Sequence, residues 1–241
     1  MDIKTESSDA EPARGKWGDI RRGVILTLPM LVVFGPIGAT FGVIAVEAGM
    51  SPFQTILMSF VVYTGAAQLA AIQLLIFDAP LVTIYLTTLV INSRYLVLSA
   101  TLAPHLSTFG FLPRLFYGLQ LTDASFAIHV SRFAKAPPRR VEVFTTNIFA
   151  HIIWVVGTSI GVLAGSAVPD PTQFGIDFAM PAMFIALAIP LIKSKAEVAV
   201  AITSGVAAIG FNAIGFQHWT ILAATAVAMT VAFGAIRWKR A

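Results

Sequence analysis

Cysteine is absent from all 241 residues, which excludes disulfides, thiolate metal sites and thiol nucleophiles. Charge is scarce as well. Only 12% of positions are charged, against about 25% in a soluble domain, too few to cover a globule of this size. The four histidines, His105, His129, His151 and His218, are scattered with no i,i+4 pair, so no metal-ligand set is expected. The first 22 residues lack the apolar core and small-residue cleavage site of a signal peptide and read as a polar tail. What remains is apolar: 57% of residues are hydrophobic and the mean hydropathy is +0.82. The runs are long and apolar on all faces, unlike the short alternating segments of a β-barrel. The chain is therefore expected to be an all-α polytopic membrane protein. Its isoelectric point of about 9.6 belongs to basic loops beside the membrane, not to a nucleic-acid surface.

Runs long enough to span, about 20 residues each, fall at 23–46, 53–77, 81–104, 113–131, 142–163, 178–193, 196–214 and 217–236. The sixth is short and carries Pro181 and Pro190, so seven or eight crossings fit. The membrane domain is read as 23–236, between the tail 1–22 and a basic end 237–241. Lys and Arg favour the cytoplasmic side of short loops. With eight crossings, Arg21 and Arg22, the 132–140 loop, Lys193 with Lys195, and Arg237 with Arg240 share one side. Both termini are then cytoplasmic, and Arg114 is the one basic residue on the wrong side.

The stretch Gly38–Gln54 repeats at an offset of 119 residues as Gly157–Gln173, with seven of 17 positions identical. A two-fold repeat with halves near 23–140 and 141–236 follows, inverted or parallel according to the number of crossings. Paired halves with broken helices at a central site are a transporter design. Breaks are expected at "LPMLVVFGPIG" in the first span, at "YTGAAQ" in the second and at "MPAMFIALAIP" in the sixth. "GTSIG", Gly157–Gly161, fits the G-x-S-x-G pattern of a nucleophile elbow, but it lies inside an apolar helix rather than at a strand-turn-helix. With Gly165 it reads as a smooth packing face. No nucleophile-base pair can be assembled, and no enzyme or cofactor is expected.

Arg94 lies near the middle of the third span, where insertion costs about 2.5–3.5 kcal/mol. Asp123 is the only acidic residue deep in an expected span, and the two are natural partners. One reading is mutual neutralisation. In the other, Arg94 grips a substrate carboxylate through its guanidinium fork and Asp123 responds to protonation, with His151 the next proton-coupling candidate. Asn92 would assist Arg94. Gln68 and unwound backbone at Gly35 and Gly38 would meet the substrate's charged groups. Phe41, Trp154 and Phe184 would line its apolar pocket.

Several marks in order resemble the AzlC-type large subunit of bacterial branched-chain amino acid exporters, over about Gly23–Ala235. They are "GPIGATFGVIAVEAGMSP", "GAAQ" at Gly65–Gln68, "INSRYL" at Ile91–Leu96, "LAPHL" at Leu102–Leu106, "LTD" at Leu121–Asp123, "WVVGTSIG" at Trp154–Gly161 and "GIDFAMPAMFIAL" at Gly175–Leu187. The resemblance implies an inner-membrane permease exporting leucine, isoleucine and valine, with a separately encoded small AzlD-type membrane partner and a homo- or hetero-oligomer open. Tyr95 stands where the family commonly has histidine, and Ala124 where it commonly has an acidic residue. The function expected is proton-coupled export of branched-chain or other small apolar amino acids. The alternative is a channel, or a non-transporting scaffold subunit of a membrane complex.

Overall fold

The computed structural model describes residues 15–167 and 194–238, together with the isolated positions 185, 189 and 192. The described residues form helices α1 (Lys16–Glu47), α2 (Pro52–Val61), α3 (Gly65–Ile76), α4 (Leu81–Asn92), α5 (Arg94–Leu102), α6 (Phe111–Leu119), α7 (Asp123–Phe133), α8 (Arg140–Ala167), α9 (Lys195–Ala213) and α10 (Thr220–Trp238). Burial is inverted relative to a soluble protein. Val32, Leu81, Tyr85 and Ile209 are each more than two-thirds exposed, while Thr55, Ser59, Gln68, His129 and Asn147 are buried. Lipid is the only solvent that suits such a surface. By length and composition, Lys16–Glu47, Leu81–Leu102, Arg140–Gly165 and Lys195–Ala213 can each cross a bilayer.

Chain contacts divide the protein into two compact units. Unit 1 is Met1–Gly35 with Tyr95–Trp154, and unit 2 is Pro36–Arg94 with Val155–Ala241.

In unit 1 the start of α1 lies along the start of α8, in the same direction. Arg139 Nε meets Asp19 at 3.0 Å, Thr27 Oγ1 reaches the Thr146 carbonyl at 3.5 Å, and Phe34 meets Trp154 edge-on at 5.8 Å. At the basic end, buried Glu142 accepts from Arg132 at 2.8 Å and lies 3.7 Å from Arg22.

The expected fourth crossing is two short helices that fold back on each other. Twelve residues of straight helix span about 18 Å, yet Tyr117 Oη and His129 Nδ1 meet at 2.7 Å. The outer ends of both helices share the basic end. The Arg140 guanidinium lies 5.4 Å over the Phe109 ring just before α6, and His105 lies 5.7 Å from Phe133 at the end of α7. Leu102, Leu106, Phe109, Tyr117, Phe133 and Val143 form one apolar cluster there. The turn is built from Gln120–Thr122, and a reciprocal cap of Thr122 with Ser125 starts α7. Arg114 thereby joins the other basic residues, removing the exception to the charge rule. Thiol labels at Ser107→Cys and Lys135→Cys, both exposed, are expected to react from the same side of the membrane. A single crossing at 113–131 would place them on opposite sides.

In unit 2 the parallel pairing of α1 and α8 is close enough to be backbone on backbone. A Cβ at Gly161 would overlap the Ala39 carbonyl oxygen and lie 2.6 Å from its carbon, and one at Gly42 would overlap the Thr158 carbonyl oxygen. These contacts are reciprocal. Residues 42 and 161, and residues 39 and 158, are the partners that the 119-residue echo aligns. Gly161 of "GTSIG" is a packing residue, as expected, and so is Gly165 one turn on. α3 and α4 are antiparallel, joined by the turn at 77–80.

The expected break in the first span is absent. α1 continues through Pro29, Gly35, Pro36 and Gly38. Each proline removes one i→i−4 bond, the one to the Ile25 or Val32 carbonyl, and the helix continues past both. Gly35 and Gly38 therefore offer helical rather than unwound backbone. The expected break in the second span is present between α2 and α3. That in the sixth span lies outside the described residues.

Candidate functional site

The break at Val62–Thr64 organises the polar interior of unit 2. Ser51 and Gln54 cap the start of α2 reciprocally, with Pro52 in its first turn. At its other end Tyr63 takes a left-handed backbone, φ 43°, and Thr64 is extended. A bulky residue rarely adopts positive φ; here it re-aims the chain so that α3 restarts beside α2. Gln68 Nε2 then donates to Ser59 Oγ at 3.1 Å, and Ser59 Oγ meets Thr158 Oγ1 at 2.8 Å. Ser59 accepts from the amide, and either hydroxyl can donate in the Ser59–Thr158 bond. Gln68, Ser59 and Thr158 are all 0% exposed. Nine helical residues would otherwise hold Ser59 and Gln68 about 13 Å apart.

Thr64 stands at the start of α3 but leaves it without a side-chain cap. Its hydroxyl donates instead to Asn92 Oδ1 at 3.0 Å, tying the start of α3 to the end of α4. Ser93 forms a turn, and Arg94 opens α5 two residues after Asn92, half-buried. The first N–H groups of α3 carry the positive end of its dipole. This corner of unit 2 therefore holds the uncapped start of α3 bound to Asn92, with Arg94 two residues further along the chain and Gln68 one turn into α3. Phe41 is fully buried in the same unit.

The other expected residues are placed differently. Gly35, Trp154, Asp123 and His151 belong to unit 1. Trp154 is buried against Phe34. Asp123 is exposed, as the first residue of α7 beside the fold-back, rather than enclosed in a continuous span. His151 Nδ1 bonds Gln120 Nε2 at 3.1 Å. Phe184 lies outside the described residues. Sequence reasoning missed Ser59, Thr64 and Thr158. Their hydroxyls are unremarkable among the many in membrane helices, and only the bend at Tyr63 brings them to Gln68 and Asn92.

A cavity of roughly 440 Å³ lies where the end of α3 (Gln73, Leu74, Phe77) meets the end of α9 (Ala208, Ile209, Asn212) and the start of α10 (Thr220, Ile221). None of the expected site residues lines it.

The AzlC protein family model matches residues 29–168, from within α1 to just past α8. The chain belongs to the AzlC family. The matched stretch holds both the Val62–Thr64 break and the α6/α7 fold-back. Among relatives, an uncharacterized membrane protein of Archaeoglobus fulgidus is 29% identical over 213 residues, 85% of this chain and 90% of that protein. The branched-chain amino acid transport protein AzlC of Bacillus subtilis is 27% identical over 175 residues, 71% of this chain and 67% of the relative. The inner membrane protein YgaZ of Escherichia coli is 24% identical over 206 residues, covering 81% and 82%. No solved structure matches the AzlC-family chain.

Proposed function

We propose that this AzlC-family protein is a transporter, not an enzyme, that exports branched-chain or other small apolar amino acids across a bacterial inner membrane. Export is coupled to protons and uses a small AzlD-type membrane partner. The Bacillus subtilis relative, named a branched-chain amino acid transport protein, supports amino acid transport. The observation that carries the site is the interrupted helix at Tyr63–Thr64, whose uncapped restart is bound to Asn92 two residues before Arg94. Half-helix N-termini inside a membrane favour an anionic substrate group. The carboxylate belongs at Arg94 and the start of α3. Asn92 and Gln68 orient the substrate, and Phe41, buried in the same unit, contributes to its apolar surroundings.

The basic end of unit 1 is assigned to the cytoplasm, with both chain termini. In unit 2 the end of α3 adjoins the α9–α10 turn, remote from Lys195 and Arg237. By the same charge rule α2 and α3 enter and leave from the outer side, as α6 and α7 do from the inner. The test is efflux from vesicles preloaded with a panel of amino acids, with and without the partner, at two pH values. Saturable efflux of leucine, isoleucine or valine is expected. Flux that never saturates would favour a channel, and none at all a scaffold.

Asp123→Asn separates coupling from structural neutralisation. Removing one member of an enclosed ion pair costs about 3–5 kcal/mol. At an exposed first helical position, losing the favourable dipole interaction costs about 0.3–1 kcal/mol. The variant is expected to melt near wild type and to exchange substrate at equal pH. Its net efflux loses the wild-type pH dependence. A collapse in thermal stability would instead assign Asp123 a structural role.

A further inference from the structure

Asn147, His129 and Gln120 of unit 1 each carry a buried polar atom with no hydrogen-bond partner among the described residues. Asn147 of α8 is 0% exposed, and neither its amide nitrogen nor its oxygen is bonded. His129 of α7 is 1% exposed; Tyr117 takes its Nδ1, and its Nε2 is unbonded. Gln120, just past α6, bonds His151 through Nε2, and its Oε1 is unbonded. Buried polar groups are rarely left this way, and ordered water commonly satisfies them.

These groups lie in register. Tyr117 on α6 and Gln120 just past its end stand three apart, while Val143, Asn147 and His151 stand four apart on one stripe of α8. Val143 packs in the apolar cluster that contains Tyr117, and His151 bonds Gln120. Asn147 therefore faces α6 between these two contacts, where one bonded pair ends and the next begins. The surrounding charged and titratable groups sit at the ends of the ladder. Asp123 opens α7, and Arg132 near its end pairs with Glu142 of α8. Arg22 and Asp19 of α1 lie at that basic end, Asp19 meeting Arg139. His105 lies against Phe133, whose ring stacks on His129 at 5.2 Å and 3°.

We infer that Asn147 holds a short file of water joining the His129–Tyr117 pair to the Gln120–His151 pair, a path for protons between the basic end of unit 1 and the fold-back where Asp123 stands. A proton arriving at His129 Nε2 releases the proton on Nδ1 to the Tyr117 oxygen, as the phenol's own proton passes to the water at Asn147. No net charge remains; His129 is left with its proton on Nε2, and the pair is reset when that proton leaves to water as Nδ1 takes one up from water, with the hydroxyl turning back. Asn147 is a positioning residue: it holds the water and transfers no proton itself. The inference rests on the proton-coupled reading above and adds the route to it.

The test uses the full chain with its partner in liposomes containing a pH-sensitive dye, reading leucine-driven proton flux and leucine exchange at equal pH. Asn147→Leu removes the water-holding amide. It is expected to keep exchange and to lose its pH dependence, with proton flux falling about a hundredfold, the low end for a lost proton-transfer group. Asn147→Ser, short and polar, should restore most of that flux. Wild-type proton flux in Asn147→Leu overturns the path. Should that variant fail to insert, His129→Phe decides: undiminished proton flux there also overturns it. Wild-type protein that exchanges leucine without moving protons overturns the relay and leaves amino acid transport standing. Wild-type protein that moves no amino acid of the panel removes both.

Discussion

Replacing Arg94 with leucine is expected to abolish amino acid export while leaving an inserted, folded protein. The substrate's carboxylate must leave water, and a lone anion in an apolar site is very unfavourable without a counter-charge. A guanidinium supplies that charge and two parallel N–H donors. Hydrogen bonds to charged groups contribute about 1.5–3 kcal/mol each, so losing two lowers transport about a hundredfold or more. The fold is relieved of an intramembrane charge worth about 2.5–3.5 kcal/mol at insertion, and leucine suits the apolar run around it. Arg94→Lys should recover little, because a point charge cannot reproduce the fork. Near-normal efflux by Arg94→Leu would leave Arg94 a structural residue.

The largest stability effect is expected at Gly161. The Cβ of alanine there meets the backbone of Ala39, not a side chain that can rotate away. The parallel α1 and α8 must separate, and overpacking of this kind costs on the order of 3 kcal/mol. Two controls grade the result. At Gly165 the nearest atom is Val43 Cα at 3.2 Å, and at Gly205 nothing lies within 4 Å. Gly165→Ala should be mildly destabilising, and Gly205→Ala neutral or stabilising by up to about 1 kcal/mol through helix propensity. Melting of the detergent-solubilised protein should fall in the order Gly205→Ala, Gly165→Ala, Gly161→Ala. A Gly161→Ala variant as stable as Gly205→Ala would contradict the close packing of these helices.

Much of this architecture is legible in the residues. Scarce charge and long apolar runs dictate membrane helices, and the spacing of Gly161 and Gly165 marks a face that meets α1. The 119-residue echo reflects contact as well as likeness, because its aligned residues touch across α1 and α8. The α6/α7 fold-back is less legible. Residues 113–131 have the length and hydropathy of a crossing, and those properties do not encode direction. Two residue-level signals point to it: Arg114 on the wrong side, and the polar Gln120–Asp123 turn with its Thr122–Ser125 cap. Prolines misled in the opposite sense. Pro29 and Pro36 mark lost hydrogen bonds, but a helix of 32 residues packed on α8 absorbs them. The site was legible in part, since Gln68 and Asn92 stand out as amides in apolar runs. Ser59 and Thr158 join them only because the chain bends at Tyr63; "YTGAAQ" marks where the break falls but not which hydroxyls it brings in.

The central claim, saturable amino acid export through a carboxylate grip at Arg94, is tested most directly by leucine efflux from preloaded vesicles containing the chain and its partner. Unlabelled leucine and leucinamide, which has the same side chain and ammonium but no carboxylate, serve as competitors. The account predicts efflux that saturates, is inhibited by leucine and not by leucinamide, and vanishes in Arg94→Leu. Equal inhibition by leucinamide, or efflux unchanged in Arg94→Leu, would contradict it.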